Sequence, residues 1–281
     1  MIRLRMKRIS LPLANVGYSS ILLAAVGFFC PSSRLHAQTA VAPVITLAQG
    51  DALEDKIKTQ DALDVYLQLE KDGRKDAALL YRIAREYAEL MPDTKIKKEK
   101  LRLGEIALDY AKRAVVADGT DGNSYLCRAI CYGRLAPLMD NRTELEYSRL
   151  IRDDAEAALR LDPKLDDADY ILGAWNFEMS NIGVVLRELA KLVYGKLPES
   201  SNEKAIEYLQ KGIALAPERV CHHIELGRVY AAMGKKDLAR EEIQKGLALP
   251  IVERDDEEMK QHGRDTLKTL TAKPVVIITH R

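Results

Sequence analysis

Small residues recur in this chain at a fixed step. Ala62 is followed 22 positions later by Ala84, Ala107 by Ala129, Ile151 by Gly173, and Ala205 by Gly227. Two helices approach to about 8 Å only where the side chains between them are small. A constant step between such positions therefore marks helical hairpins stacked in an array. In a hairpin repeat of about 34 residues the small positions fall once on the first helix and twice on the second. The last unit shows the pattern without adjustment: Gly227 and Tyr230 on its first helix, Gly234 in the turn, then Ala239, Ile243 and Gly246 before Pro250. Pro163 and Pro217 end the two preceding second helices, since proline lacks the amide proton and clashes with the turn before it. Each lies 10 residues ahead of the next marker, Gly173 or Gly227, which sets the register independently of the alanines. Ile151 is too large for the rule, so its contact is expected to be wider or to pass to Ala155.

The spacing inside the repeats is unequal. First-helix to second-helix markers are separated by 23 residues (Ala84 to Ala107), 22 (Ala129 to Ile151), 32 (Gly173 to Ala205) and 12 (Gly227 to Ala239). The last is the ordinary length, so the others carry insertions, all expected in one kind of turn along one edge. The largest holds Ile182, Val185, Leu186, Leu189, Leu192 and Val193, an apolar stripe at helical spacing. The added helix either packs back onto the array or presents the stripe outward, and one stripe suffices to bury a helix.

Several stretches resemble a known family. These are Leu80-Tyr81-Arg82-Ile83-Ala84-Arg85-Glu86-Tyr87, Leu172-Gly173-Ala174-Trp175, Gly195 to Ser201, Ala205 to Pro217, and Leu226 to Pro250. Together they are similar to the tetratricopeptide-like domain of the regulator of microtubule dynamics family, across about residues 50 to 270. The resemblance implies an all-α, right-handed tetratricopeptide-like solenoid with insertions, and a non-enzymatic binding scaffold. Some eukaryotic members are membrane-anchored and at least one is associated with phospholipid binding, so a lipid-sized cavity is a further implication. Microtubule binding is not implied, because the leader points elsewhere.

Arg3, Arg5, Lys7 and Arg8 precede an apolar run centred on Ile21 to Phe29, followed by small residues and a cleavage point after Ala37. This is the pattern of a secretory signal peptide over 1–37, giving a periplasmic or secreted mature protein. Left uncleaved, Ile9 to Cys30 is long enough for a membrane anchor. Cleavage removes five basic residues from 43 and leaves 38 against 42 acidic, so no basic field favours nucleic acid. The mature chain keeps Cys127, Cys131 and Cys221, expected as small buried hydrophobes.

The expected organisation is a linker over 38–50, a repeat domain over 51–270 and a β-prone tail over 271–281. A helix from Asp51 through Leu69 would supply the second helix of an incomplete leading repeat, and the charged stretch from Glu253 to Leu270 a terminal cap. No nucleotide loop, serine elbow or dinucleotide motif occurs, and no cofactor is implied. His222 and His223 beside Cys221 look like metal ligands, yet neighbours on a helix diverge and a closed zinc site needs about four ligands. The carboxylate pairs Asp153-Asp154, Asp166-Asp167 and Asp255-Asp256 are read as helix-start or solvent-facing charges. On the concave face, repeat positions select Tyr81, Arg85, Asn123, Arg134, Tyr170, Phe177 and Arg228 as candidate partner-binding residues. The arginines either hold an anionic group of a protein or peptide partner or pair with Glu89, Glu178 and Glu225 of the array itself. Trp175 is expected in the core. The leading function is a scaffold holding a protein or peptide in its groove. The alternative is a binder of phospholipid or another amphipathic small molecule, in a cavity beside the Val184–Leu197 insertion.

Overall fold

The computed structural model describes residues 45–271, all helix, turn or loop with no strand among them. The leader, most of the linker and the tail beyond Thr271 lie outside the described residues. Two lead helices, α1 (Leu47–Glu54) and α2 (Thr59–Lys71), precede the array. Four first helices follow, α3 (Ala77–Leu90), α5 (Gly122–Leu135), α7 (Asp166–Ser180) and α10 (Val220–Ala232). Their hairpin partners are α4 (Lys97–Ala117), α6 (Asn141–Leu161), α9 (Asn202–Leu215) and α11 (Lys236–Ala248). Between α7 and α9 lies the inserted α8 (Val184–Tyr194), and α12 (Asp256–Thr271) closes the array against α10 and α11.

The small-residue register holds at atomic level. Ala62, Ala84, Ala107, Ala129, Ala205 and Ala239 are fully buried. A methyl group built on Gly173 would lie 2.6 Å from Leu209 Cγ, and one on Gly227 2.5 Å from Ile243 Cγ1. Neither glycine has room for a side chain, which is why the helices cross there. Ile151 is buried beside a fully buried Ala155, so the small position passes one turn along. Helix starts are set by local chemistry. The Asp76 carboxylate accepts the Leu79 amide, Asp121 those of Asn123 and Ser124, Asp140 those of Arg142 and Thr143, and Ser201 Oγ that of Lys204. Gly234 turns the last hairpin at φ +75°, a conformation natural to glycine.

Three expectations need correction. The linker ends earlier than residue 50: α1 begins at Leu47, closed by a Thr46–Gln49 capping box. What reads as one helix from Asp51 is two, broken at 55–58 with Ile57 at φ +59°. Gly50 explains the missed signal, since it lets α1 lie flat on the Tyr66 ring, and a Cβ there would fall 2.2 Å from Cε1. Second, the insertions do not all sit in turns. Two of them lengthen α4 and α6 to 21 residues each, against 14 for α9 and 13 for α11. Short 3-10 turns carrying Pro92 and Pro137 lead into these long helices. Third, the terminal helix starts at Asp256, leaving Glu253 to Asp255 in a loop.

The insertion does both things considered for it. Ala190 is fully buried, and Ile182, Leu189, Val193 and Leu197 pack with Leu145, Trp175 and Met179. Val184, Val185 and Leu192 stay 77, 83 and 81% exposed. Trp175 is core, with Nε1 donating to Ser148 Oγ at 3.1 Å.

Candidate partner-binding groove

The first helices turn a common face toward α12 and the loop before it. The side chains there are charged and largely matched to one another. On α3, Arg85 pairs with Glu54 of α1 and lies 3.4 Å from Glu86. Its neighbour Arg82 donates to both carboxylate oxygens of Asp51, at 2.7 and 3.1 Å, and to the Tyr81 hydroxyl. Arg134, at the end of α5, donates to Glu89 at 3.1 Å and to Asp255 at 2.8 Å. Burial alone would make that guanidinium easier to deprotonate, but Asp255 and Glu89 outweigh it and hold the charge firmly. Arg228 donates to Glu225 at 2.5 Å, approaches Glu178 at 4.0 Å and lies over the Phe177 ring. Tyr170 is buried, its hydroxyl 4.0 Å from Met259 Sδ of α12. Asn123 is set back in the cap of α5, its amide 3.2 Å from Asp121 Oδ1.

Of the seven residues selected from the sequence, Arg134 and Tyr170 meet the α12 end of the chain, Phe177 and Arg228 meet each other, Tyr81 and Arg85 are tied to Arg82 and to Glu54, and Asn123 serves a helix start. Of the two readings weighed for the groove arginines, the geometry matches pairing within the array: Arg134 with Glu89, and Arg228 with Glu178 and Glu225. Arg85 pairs with Glu54 and Glu86, which spacing did not select.

The carboxylate pairs are also corrected. Asp166 and Asp167 begin α7 as expected but are fully buried, both bonded to Arg219 just ahead of α10. Glu253 lies 3.5 Å from the same guanidinium, and His222 Nε2 is 3.0 Å from Asp166. Burial lowers His222 to a pKa of about 4, so it is neutral near pH 7. Asp154 is buried against Arg128, at 2.6 and 2.8 Å. Asp255 is the partner of Arg134. Local sequence gave no sign of this, because each pair joins residues at least 26 positions apart.

Glu86 is 1% exposed, and burial lifts its carboxyl to about 7, with Arg85 opposing and Glu89 adding to the rise. Beside the loop a cleft of about 330 Å³ opens between Met91, Pro92, Lys100, Gly133, Arg134, Pro137, Leu138 and Glu258. His223 turns away from His222, to Glu242 at 2.8 Å and to the Pro217 carbonyl. Among the described residues no three His, Cys, Asp or Glu side chains converge as metal ligands, and Cys127, Cys131 and Cys221 are buried free thiols. Likewise, among the described residues no helix is long and apolar enough to cross a membrane.

The family model described as regulator of microtubule dynamics protein 1-3 matches residues 46–271, the span from α1 to the end of α12. The chain belongs to this family. The regulator of microtubule dynamics protein 1 of Mus musculus is 25% identical over 238 residues, covering 84% of this chain and 77% of that protein. The human regulator of microtubule dynamics protein 2 is 21% identical over 198 residues, or 70% of this chain and 48% of its own length. Among solved structures, a thermophilic TPR protein of Thermus thermophilus aligns with a TM-score of 0.55 and 20% identity, over 79% of this chain and 97% of that one. That likeness establishes the tetratricopeptide-like fold for this family member.

Proposed function

We propose that the protein is a non-enzymatic scaffold that holds a segment of a protein partner in its inner groove. One observation carries the reading: four successive first helices contribute polar and charged side chains to a single face, beside a cleft of about 330 Å³. Groups fixed by ion pairs on rigid helices suit selective recognition of a polypeptide better than chemistry, for which a nucleophile would need an adjacent base. Lipid is less well supported. Two clefts lie between the array and α8, one of about 220 Å³ and one of about 350 Å³ that is bordered by Arg142, Glu146 and Arg149, at the low end of the roughly 300–1,000 Å³ usual for ligand sites. Export through the leader would place the groove in the periplasm or outside the cell. A mature N-terminus at Gln38 tests that, whereas intact chain in the membrane fraction would replace export with anchoring.

The test of the groove is site-specific photocrosslinking in the producing cell. A benzophenone amino acid at Leu138, on the cleft, is expected to trap a discrete protein, and one at Val116, 87% exposed on α4, is not. Equal capture at both positions, or lipid adducts alone at Leu138, would overturn the reading.

A further inference from the structure

The turns leading from a second helix to the next first helix are short. They span five residues between α2 and α3 (72–76), and four between α4 and α5 (118–121), α6 and α7 (162–165), and α9 and α10 (216–219). Between α11 and α12 the turn spans seven, 249–255. Four or five residues suffice for the connection, so the last turn has residues to spare, and it carries the charged triplet Glu253-Arg254-Asp255.

That triplet enters the groove, and each member meets a different part of the array. Glu253 lies 3.5 Å from Arg219, ahead of α10. Arg254 Nη1 donates to Thr59 Oγ1 at 3.0 Å, at the start of α2, and Nη2 pairs with Asp93 after α3. Asp255 accepts from Arg134 of α5 at 2.8 Å. The turn is pre-set from behind, because the Asp256 carboxylate accepts the amides of Val252 at 2.9 Å and Glu253 at 2.7 Å. The body of α12 is docked separately: a Cβ on Gly263 would lie 2.6 Å from Ile224 Cδ1, nearly as close as the 2.5 Å from Gly104 to Leu135 Cδ2 between two repeats. The triplet is therefore a finger on an already anchored helix.

We propose that Glu253-Arg254-Asp255 is a built-in occupant of the groove, filling the seat that an arginine flanked by carboxylates takes when a protein partner binds. This rests on the reading of the groove as a site for a protein segment. Charge complementarity names the partner's chemistry. Thr59 and Asp93 present a hydroxyl and a carboxylate to a guanidinium, whose planar fork suits them better than an ammonium does. Arg134 and Arg219 receive a carboxylate on either side. The central contact sits at the rim, with the Arg254 side chain 24% and the Asp93 side chain 52% exposed, so a competitor reaches it from solvent. A tethered finger competes at high effective concentration. It lowers a partner's apparent affinity by the fraction of time the seat is empty.

The experiment measures fluorescence anisotropy of a labelled peptide copying residues 250–258 (Pro-Ile-Val-Glu-Arg-Asp-Asp-Glu-Glu) against the full chain. The Arg254→Ala, Asp255→Ala double variant is expected to bind it about tenfold more tightly than the unaltered protein. The gain should vanish for a peptide with Gln in place of Arg, and when Asp93→Asn is added to the double variant. Equal affinity with and without the finger overturns the proposal, as does a gain that survives the Gln peptide. If the double variant loses its helical signal, Arg254→Gln alone keeps Asp255 on Arg134 and carries the same expectation. The two readings fail separately. Trapping at Leu138 that is unchanged by the finger variants removes the finger and leaves the scaffold, and absence of trapping removes the scaffold.

Discussion

Replacing Gly227 with alanine probes the array at one of its closest crossings. The new Cβ would stand 2.5 Å from Ile243 Cγ1 and 3.1 Å from both the Ala239 carbonyl oxygen and the Ile243 amide nitrogen. The isoleucine side chain can turn aside, but the two backbone atoms move only if α11 shifts as a body. Overpacking of this kind costs about 1–3 kcal/mol. Two backbone atoms in the way put this site in the upper half of that range, about 2–3 kcal/mol, and alanine's better helix propensity returns about 1 kcal/mol, leaving a net loss of about 1–2 kcal/mol. In a chain of this size each kcal/mol moves the melting temperature by about 2–4 °C, so a fall of about 2–8 °C is expected in far-ultraviolet circular dichroism. Gly119→Ala is the control, because its nearest neighbours stand at 3.8 and 3.9 Å, and its effect should stay within about 0.5 kcal/mol. Since each repeat touches mainly its neighbours, hydrogen exchange should quicken in α10–α12 and stay slow in α3–α6. A Gly227→Ala protein as stable as the parent would refute the close crossing of α10 and α11, and the register with it.

The buried carboxyl of Glu86 gives a pH signature. Its folded pKa of about 7 lies above the ordinary 4.5, so its contribution to stability is complete at low pH and is lost as pH rises through about 7. Glu86→Gln should therefore gain in melting temperature relative to the parent between pH 5 and pH 8, and a constant difference would contradict the burial. Arg219→Ala strips the guanidinium from Asp166, Asp167 and Glu253 and should cost about 3–5 kcal/mol in urea titration. Arg74→Ala, in a pair with side chains 39 and 49% exposed, should cost about 0–1 kcal/mol, and equal losses would deny the buried cluster its weight. On α8, Leu192→Asp at 81% exposure should leave the melting curve within about 0.5 kcal/mol of the parent. Ala190→Asp, fully buried, should lower stability by about 2 kcal/mol or more.

The repeat was legible because the cause of helix crossing is local: a small residue at a fixed offset is itself the contact. Ala84, Ala129, Gly173 and Gly227 declare their role without reference to distant sequence, and even Ile151 pointed to Ala155. The lead helix α1 was hidden because Gly50 reads as a breaker, although here its missing side chain admits the Tyr66 ring. The buried carboxylates were hidden for another reason. Asp167 looks like any acidic residue at a helix start, and only the arrival of Arg219, 52 positions later, makes it an interior group. For the candidate site, repeat geometry found the inner face but not what fills it. Whether Arg134 is available to a partner depends on Asp255, 121 residues away, and hence on curvature summed over every hairpin between them.

Linear arrays ordinarily melt from their extremities, where a unit has one neighbour instead of two. Here Arg254 meets Thr59 across 195 positions of chain, so the two extremities restrain each other. Mechanically the molecule is a fastened bracelet, in which a pull between its first and last helices loads the clasp before any single hairpin peels away. A contact of such long range forms only once the intervening helices have assembled. Its closure thus reports that every hairpin between has taken its place.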